Sequence, residues 1–207
     1  MNEGYSEVLH SIASSEPTPG GGSVAALALA HAHSLAIMVS RLTLSKEKWA
    51  DGHEAAEYVI SESLRDLEYA LLLADMDAQA FDRVMAAYRL PRGDDDEKDT
   101  RSKTIRAATI CAAEAPLDTA TKALSLLSNL ETLCVSCNSN ALTDLASSAE
   151  LSYTAVNIAA MNVKINLDYI EGEDVDILSS RIYTVVDESS TSVGRVRSMV
   201  KERLGWT

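Results

Sequence analysis

Residues 16–44, EPTPGGGSVAALALAHAHSLAIMVSRLTL, constrain the fold more than any other stretch of this chain. Pro17 and Pro19 stiffen a turn, three glycines follow, and an Ala-rich apolar run continues directly from them. Glycine admits backbone angles and close approaches that side chains forbid, and the first N–H groups of a helix lack partners within it and attract negative charge. The junction therefore has two readings: a sharp turn beneath a tightly packed helix, or the floor of a site for an anionic ligand. Without the Lys-Ser/Thr of a phosphate-binding loop, the glycines alone favour the turn. Ser23 stands where an N-cap would accept from a backbone N–H two or three residues on. Ala28, Ala32 and Ala36 recur every four residues as a ridge of small side chains that lets another helix approach closely. This helix is expected at the centre of the molecule.

The rest of the chain fits around it as helices. Strand formers are sparse, with one Phe, 5% aromatics, and Val and Ile at helical spacing. The expectation is all-α, an up-and-down bundle of about six long helices in one domain, residues 1–207. A short amphipathic helix is predicted around Val8, Leu9 and Ile12. Further helices are predicted at residues 53–89 (one, or two joined near Asp75), 95–115, 117–136, 138–167 and 174–204. Pro116 is expected to break or kink the helix it interrupts, and the acidic run Asp94–Glu97 complements a helix start.

Between Ala107 and Val163 the only basic residue is Lys122, and the acids are Glu114, Asp118, Glu131, Asp144 and Glu150. In a chain that is 24% charged, so bare a stretch belongs to an inner layer or to a surface covered by a second copy. A homodimer formed through these charge-poor helices is expected.

Charge narrows the partners. With 31 acidic and 18 basic side chains the net charge is -13, which disfavours nucleic acid and anionic membranes. An anionic substrate then needs a local basic patch, and Arg41, Lys46 and Lys48 around a single Glu47 form the first candidate. Residues 23–40 are long and uncharged enough to be weighed as a membrane span, but their His and Ser content and polar flanks argue against one. Three cysteines give no disulfide framework, and no signal peptide is visible at the N-terminus, so a cytoplasmic location is expected.

Several residues could carry chemistry. Asp75, Asp77 and Asp82 share a predicted helix, and a carboxylate facing a low-dielectric groove has a raised pKa suited to proton transfer, although most helical carboxylates are solvated. Asn138, Asn140 and Asp144 head a charge-poor helix that also carries Asn157, Asn162 and Asn166. Buried amides need partners, so these either cap and cross-link helices or line a polar pocket, and Asn162 and Asn166 share a face. Cys134 and Cys137, inside a predicted helix end, read as small buried hydrophobes, and His31 and His33 fall on different helix faces. No metal site is expected.

Six blocks in order, PTPGGGSVAALA, LTLSKEKW, DMDAQAFDRVM, LPRGDDDEKDTR, NSNALTD and NVKINLDYI, resemble the cyclodeaminase/cyclohydrolase family over residues 4–204. The resemblance implies a helical, two-fold dimer that acts on one-carbon units carried by tetrahydrofolate, without a formiminotransferase part. Ser45 and Arg92 stand where the family often has Gly and Lys. The implied activity is formimidoyltetrahydrofolate cyclodeaminase, with methenyltetrahydrofolate cyclohydrolase as the alternative enzyme and a non-catalytic helical interaction protein as the alternative of another class. A tetrahydrofolate derivative is the expected small-molecule partner. Asp77 and Asp144 are the expected proton-transfer pair, with Asn138 and Asn140 orienting the pterin or the tetrahedral carbon. Thr18, Gly20, Gly21, Gly22, Ser23, Lys46 and Arg101 are expected to line the pocket or hold the substrate's carboxylates.

Overall fold

The structure is a computed structural model that describes residues 2 and 4–206. Six α-helices make up nearly all of it: α1 (Tyr5–Ile12), α2 (Gly21–Leu44), α3 (His53–Tyr88), α4 (Asp95–Ser136), α5 (Leu142–Leu167) and α6 (Glu173–Leu204). Short 3-10 turns at Glu47–Gly52 and Ser139–Ala141 join α2 to α3 and α4 to α5. Among the described residues there is no strand.

Helices α2, α3, α4 and α5 close a ring, each packed on the next, and α6 lies outside it against α4 and α5. Short connections make successive helices antiparallel. Thus the first turn of α2 meets Asp77 late in α3, while Leu42 near its end meets Asn138 just before α5. Leucines from α2 to α5, among them Leu29, Leu73, Leu126, Leu130 and Leu145, fill the interior and are at most 1% exposed. Of the alanine ridge of α2, Ala32 and Ala36 are fully buried and Ala28 is partly buried against the core. Helix α2 has the length and hydropathy of a membrane span, yet most of it is enclosed by the bundle. The charge-poor stretch forms most of α4, from Ala107 on, and nearly all of α5, within the ring.

Two expectations need correcting, those for Ser23 and Pro116. Gly20, in extended conformation, is the N-cap of α2, and Ser23 lies inside the helix because α3 engages its hydroxyl. Residues 53–88 form one helix, the first of the two alternatives for that stretch. Helix α1 is the short helix expected around Val8, Leu9 and Ile12; it buries none of its residues and touches α2 through Tyr5 and His31. Helix α4 runs unbroken through Pro116. Proline cannot donate to the carbonyl four residues earlier, which is that of Ala112. Asn166 of α5 fills the gap, its amide donating to Ala112 O at 2.9 Å, so a neighbouring helix supplies the bond that the ring removes.

Midway along the bundle a polar cluster ties α2, α3 and α4 together. Asp66, 6% exposed, accepts from Lys122 at 3.0 and 3.2 Å. His33 bonds Ser63, and Tyr69 donates to Asp118. Burial holds His33 neutral, pushing its pKa down to about 4 against the opposing pull of Asp66 and with a smaller push from Lys122. The Arg203 guanidinium of α6 caps the end of α4 by donating to the carbonyls of Cys134 and Cys137, both buried thiols.

Candidate functional site

At the end of the bundle where α2 begins, the Pro17–Gly20 loop, α3, α4 and α5 leave an open cleft of about 330 Å³. Thr18, Gly20, Gly21 and Gly22 form one wall, Asp77, Phe81 and Val84 of α3 the second, and Ala112, Asn162, Ile165 and Asn166 the third. Among these residues Asp77 is the only titratable one.

The glycines explain how Asp77 comes to be there. A Cβ on Gly22 would overlap the Asp77 carboxylate, so only glycine lets that carboxylate lie directly against the backbone of α2. A Cβ on Gly21 would stand 3.4 Å from the Asn162 amide, which closes the cleft from the other side. The Ser23 hydroxyl, 1% exposed as a residue, lies 3.0 Å from Asp77 Oδ2 and 3.0 Å from the Ala74 carbonyl. The Gly run therefore serves close packing at the helix start, and the acidic group seated there is the protein's own Asp77.

Burial raises the Asp77 pKa above the ordinary carboxylate value, while the Ser23 hydroxyl and the Ser23 backbone N–H oppose the shift. No cation lines the cleft among the described residues. The result is a carboxyl group partly shielded from water, fixed in position, and inclined to hold a proton nearer neutrality than an exposed aspartate would. Such a group can take a proton from a bound molecule and return it. Asn162 and Asn166 add polar edges; the Asn166 amide donates to Ala112 O and so cross-links α5 to α4, whereas the Asn162 amide donates to Ile158 O within α5 and only lines the pocket. Sequence spacing had put them on one face; it could not show which cavity that face meets. Phe81 and Val84 lie in the DMDAQAFDRVM block without being singled out by it, and Ala112 carried no signal at all.

The remaining candidates lie elsewhere in this chain. Asn138 donates to Leu42 O and accepts from the Asn140 backbone, so it serves as a connector at the far end of α2. Asp144 sits in the first turn of α5, separated from Asn162 by roughly 25 Å of helix rise. The expected pairing of Asp77 with Asp144 therefore does not form within one subunit. Lys46 follows α2 directly, and the 24 residues of that helix put it roughly 36 Å from the cleft end. Arg101 donates twice to Tyr88 O and so caps α3. Among the described residues no three His, Cys, Asp or Glu side chains converge as metal ligands would, and the residues placed to hold a ligand are those of the cleft.

Comparison with known proteins bears on this geometry. The sequence profile described as formiminotransferase-cyclodeaminase matches residues 4–178. The chain is 35% identical over 167 residues to a methenyltetrahydrofolate cyclohydrolase of Methylorubrum extorquens, covering 80% of this chain and 79% of that one. It is 28% identical over 186 residues to the formimidoyltransferase-cyclodeaminase of Gallus gallus, covering 89% of this chain but only 34% of the larger protein. Its fold matches the crystal structure of a formiminotetrahydrofolate cyclodeaminase from Thermotoga maritima with a TM-score of 0.83, at 28% identity, over 94% of this chain and 93% of that one.

Proposed function

Because the chain belongs to the formiminotransferase-cyclodeaminase family, we propose that it makes or opens the one-carbon bridge of a reduced folate, with Asp77 as the proton-transfer group. The observation that carries this reading is the cleft itself, whose one titratable residue is pinned against the start of α2.

A single carboxyl group is enough for either family reaction. In cyclodeamination, N10 of 5-formiminotetrahydrofolate attacks the protonated formimino carbon. Asp77 takes the N10 proton, then gives it to the amino group of the tetrahedral carbon, and ammonia leaves as 5,10-methenyltetrahydrofolate forms. In hydrolysis, Asp77 takes a proton from water as it adds to the methenyl carbon and gives it to N5 as that C–N bond breaks. The hydroxyl proton is then lost and 10-formyltetrahydrofolate results. In both, the group is base first and acid second. Thr18, Asn162 and Asn166 would hold the pterin edge and the tetrahedral centre.

Hydrolysis is the reading favoured by the Methylorubrum enzyme, which matches at the higher identity and at similar length. Cyclodeamination is favoured by the Thermotoga fold. Methenyl absorbance followed with each substrate separates them: it decays for a hydrolase and grows for a deaminase. No change with either substrate contradicts both and favours an interaction protein.

The anionic tail of a folate also needs a cation, and this cleft has none. Arg41, Lys46 and Lys48 lie at the opposite end of α2, whose outer stripe includes exposed Met38 and Leu42. A two-fold pairing of α2 with its antiparallel copy would cover that stripe and bring the second copy's basic joint to the cleft. Mixing Asp77→Asn with Lys46→Ala protein then restores up to about a quarter of native turnover, because half of the pairs would be mixed and each would hold one intact site. No recovery from a mixture that has exchanged subunits contradicts the shared site.

A further inference from the structure

We infer that Ser23 is a positioning residue that serves Asp77 in both of its protonation states, its hydroxyl turning between the carboxylate and the Ala74 carbonyl. The catalytic meaning of this rests on the reading of Asp77 above; the hydrogen-bond geometry does not.

The Ser23 oxygen lies 3.0 Å from two acceptors, Ala74 O and Asp77 Oδ2. A hydroxyl has one proton and cannot give it to both, whereas its oxygen can also accept. When Asp77 is ionised, the Ser23 proton points to Oδ2 as a charge-assisted bond, and the Ala74 carbonyl keeps its bond within α3. When Asp77 is protonated, Oδ2–H donates to the Ser23 oxygen and the hydroxyl proton swings to Ala74 O. Every polar group is then satisfied again, with one torsion changed.

Nothing else needs to move. Gly22 lies against the carboxylate too closely for any side chain, which fixes the aspartate in place. The neighbours that face it from α4 and α5 are Ala112, Asn162 and Asn166, none of which titrates, and the loop adds Thr18. Ser23 itself is buried behind the carboxylate and is not a wall of the cleft, so a substrate can reach Asp77 without touching it. A carboxyl group that must be base and then acid within one turnover has, in this hydroxyl, a partner that switches sign with it.

The test uses the full chain with 13C-labelled aspartate carboxyls, titrated by NMR, the Asp77 signal being the one that disappears in Asp77→Asn. Ser23→Ala removes one buried atom and adds no volume. It takes more from the ionised form, which loses the stronger bond, so the Asp77 midpoint rises by about one pH unit. In the same protein kcat falls by about tenfold with KM within about twofold, and Ser23→Thr, which restores a hydroxyl, recovers both. A midpoint that stays at its native value in folded Ser23→Ala overturns the inference. A midpoint that rises while kcat is unchanged leaves the hydroxyl switch standing and removes Asp77 from the chemistry.

Discussion

Asp66 and Asp77 are carboxylates on the same helix, roughly three turns apart and both turned inward, yet they are in opposite situations. Asp66 is 6% exposed and held by Lys122; its charge is answered by a charge. Asp77 is less buried, faces open space, and has a hydroxyl and a helix start as its only company. A buried carboxylate held by a cation serves the fold. Asp77 has no such cation and burial raises its pKa, which is the arrangement proton transfer requires.

Replacing each in turn should separate the two roles. The largest effect is expected at the cleft: Asp77→Asn lowers turnover at least about a hundredfold while circular dichroism is unchanged. Its melting temperature stays level or rises, because the raised pKa of Asp77 means that the folded state carries a cost for ionising it near neutrality. Next comes the mid-bundle cluster on acidification. His33 is neutral in the fold down to about pH 4 but gains a proton below about 6.5 when unfolded. The unfolded chain therefore binds more protons between these values, and stability falls as pH falls through them, by roughly 3 kcal/mol at the lower end. Urea unfolding across that range reads the loss, and His33→Gln removes this component of it.

Asp66→Asn leaves Lys122 without its counter-charge but able to reach water, with its side chain 32% exposed. About 2 kcal/mol of stability is lost, a fall of about 4–8 °C in Tm, with kcat of the folded protein unchanged. The smallest effect is expected at the surface. Glu150 and Arg197 form an ion pair with both side chains about half exposed, and Glu150→Gln shifts stability by under about 1 kcal/mol. A large loss there would mean that pairing, and not burial, sets the difference between Asp66 and the rest.

Much of this was legible in the chain. Helical spacing, the glycine run and the charge-poor stretch placed α2 and α5 in the bundle, and the six family blocks pointed to Asp77. What could not be read were facts of three-dimensional neighbourhood. Pro116 announced a broken helix, and only Asn166, 50 positions later in the chain, shows why it is not broken. Ser23 looked like an ordinary cap until α3 came beside it. Asp144, Asn138 and Lys46 belong to other blocks of the same family set as Asp77, but spacing gives no hint that the chain holds them at the other end of α2. Helix faces are written in periodicity; which faces meet is written in packing.

Under the proposed mechanism the carboxyl of Asp77, and no other group, takes up the proton in the first step. The pH dependence of kcat/KM tests this most directly, since it reports the ionisations of the free enzyme. The expected profile rises with pH through a midpoint above the ordinary carboxylate value, and in Asp77→Asn the small residual rate is flat through that region. A midpoint that survives unchanged in Asp77→Asn would assign the proton transfer to a different residue.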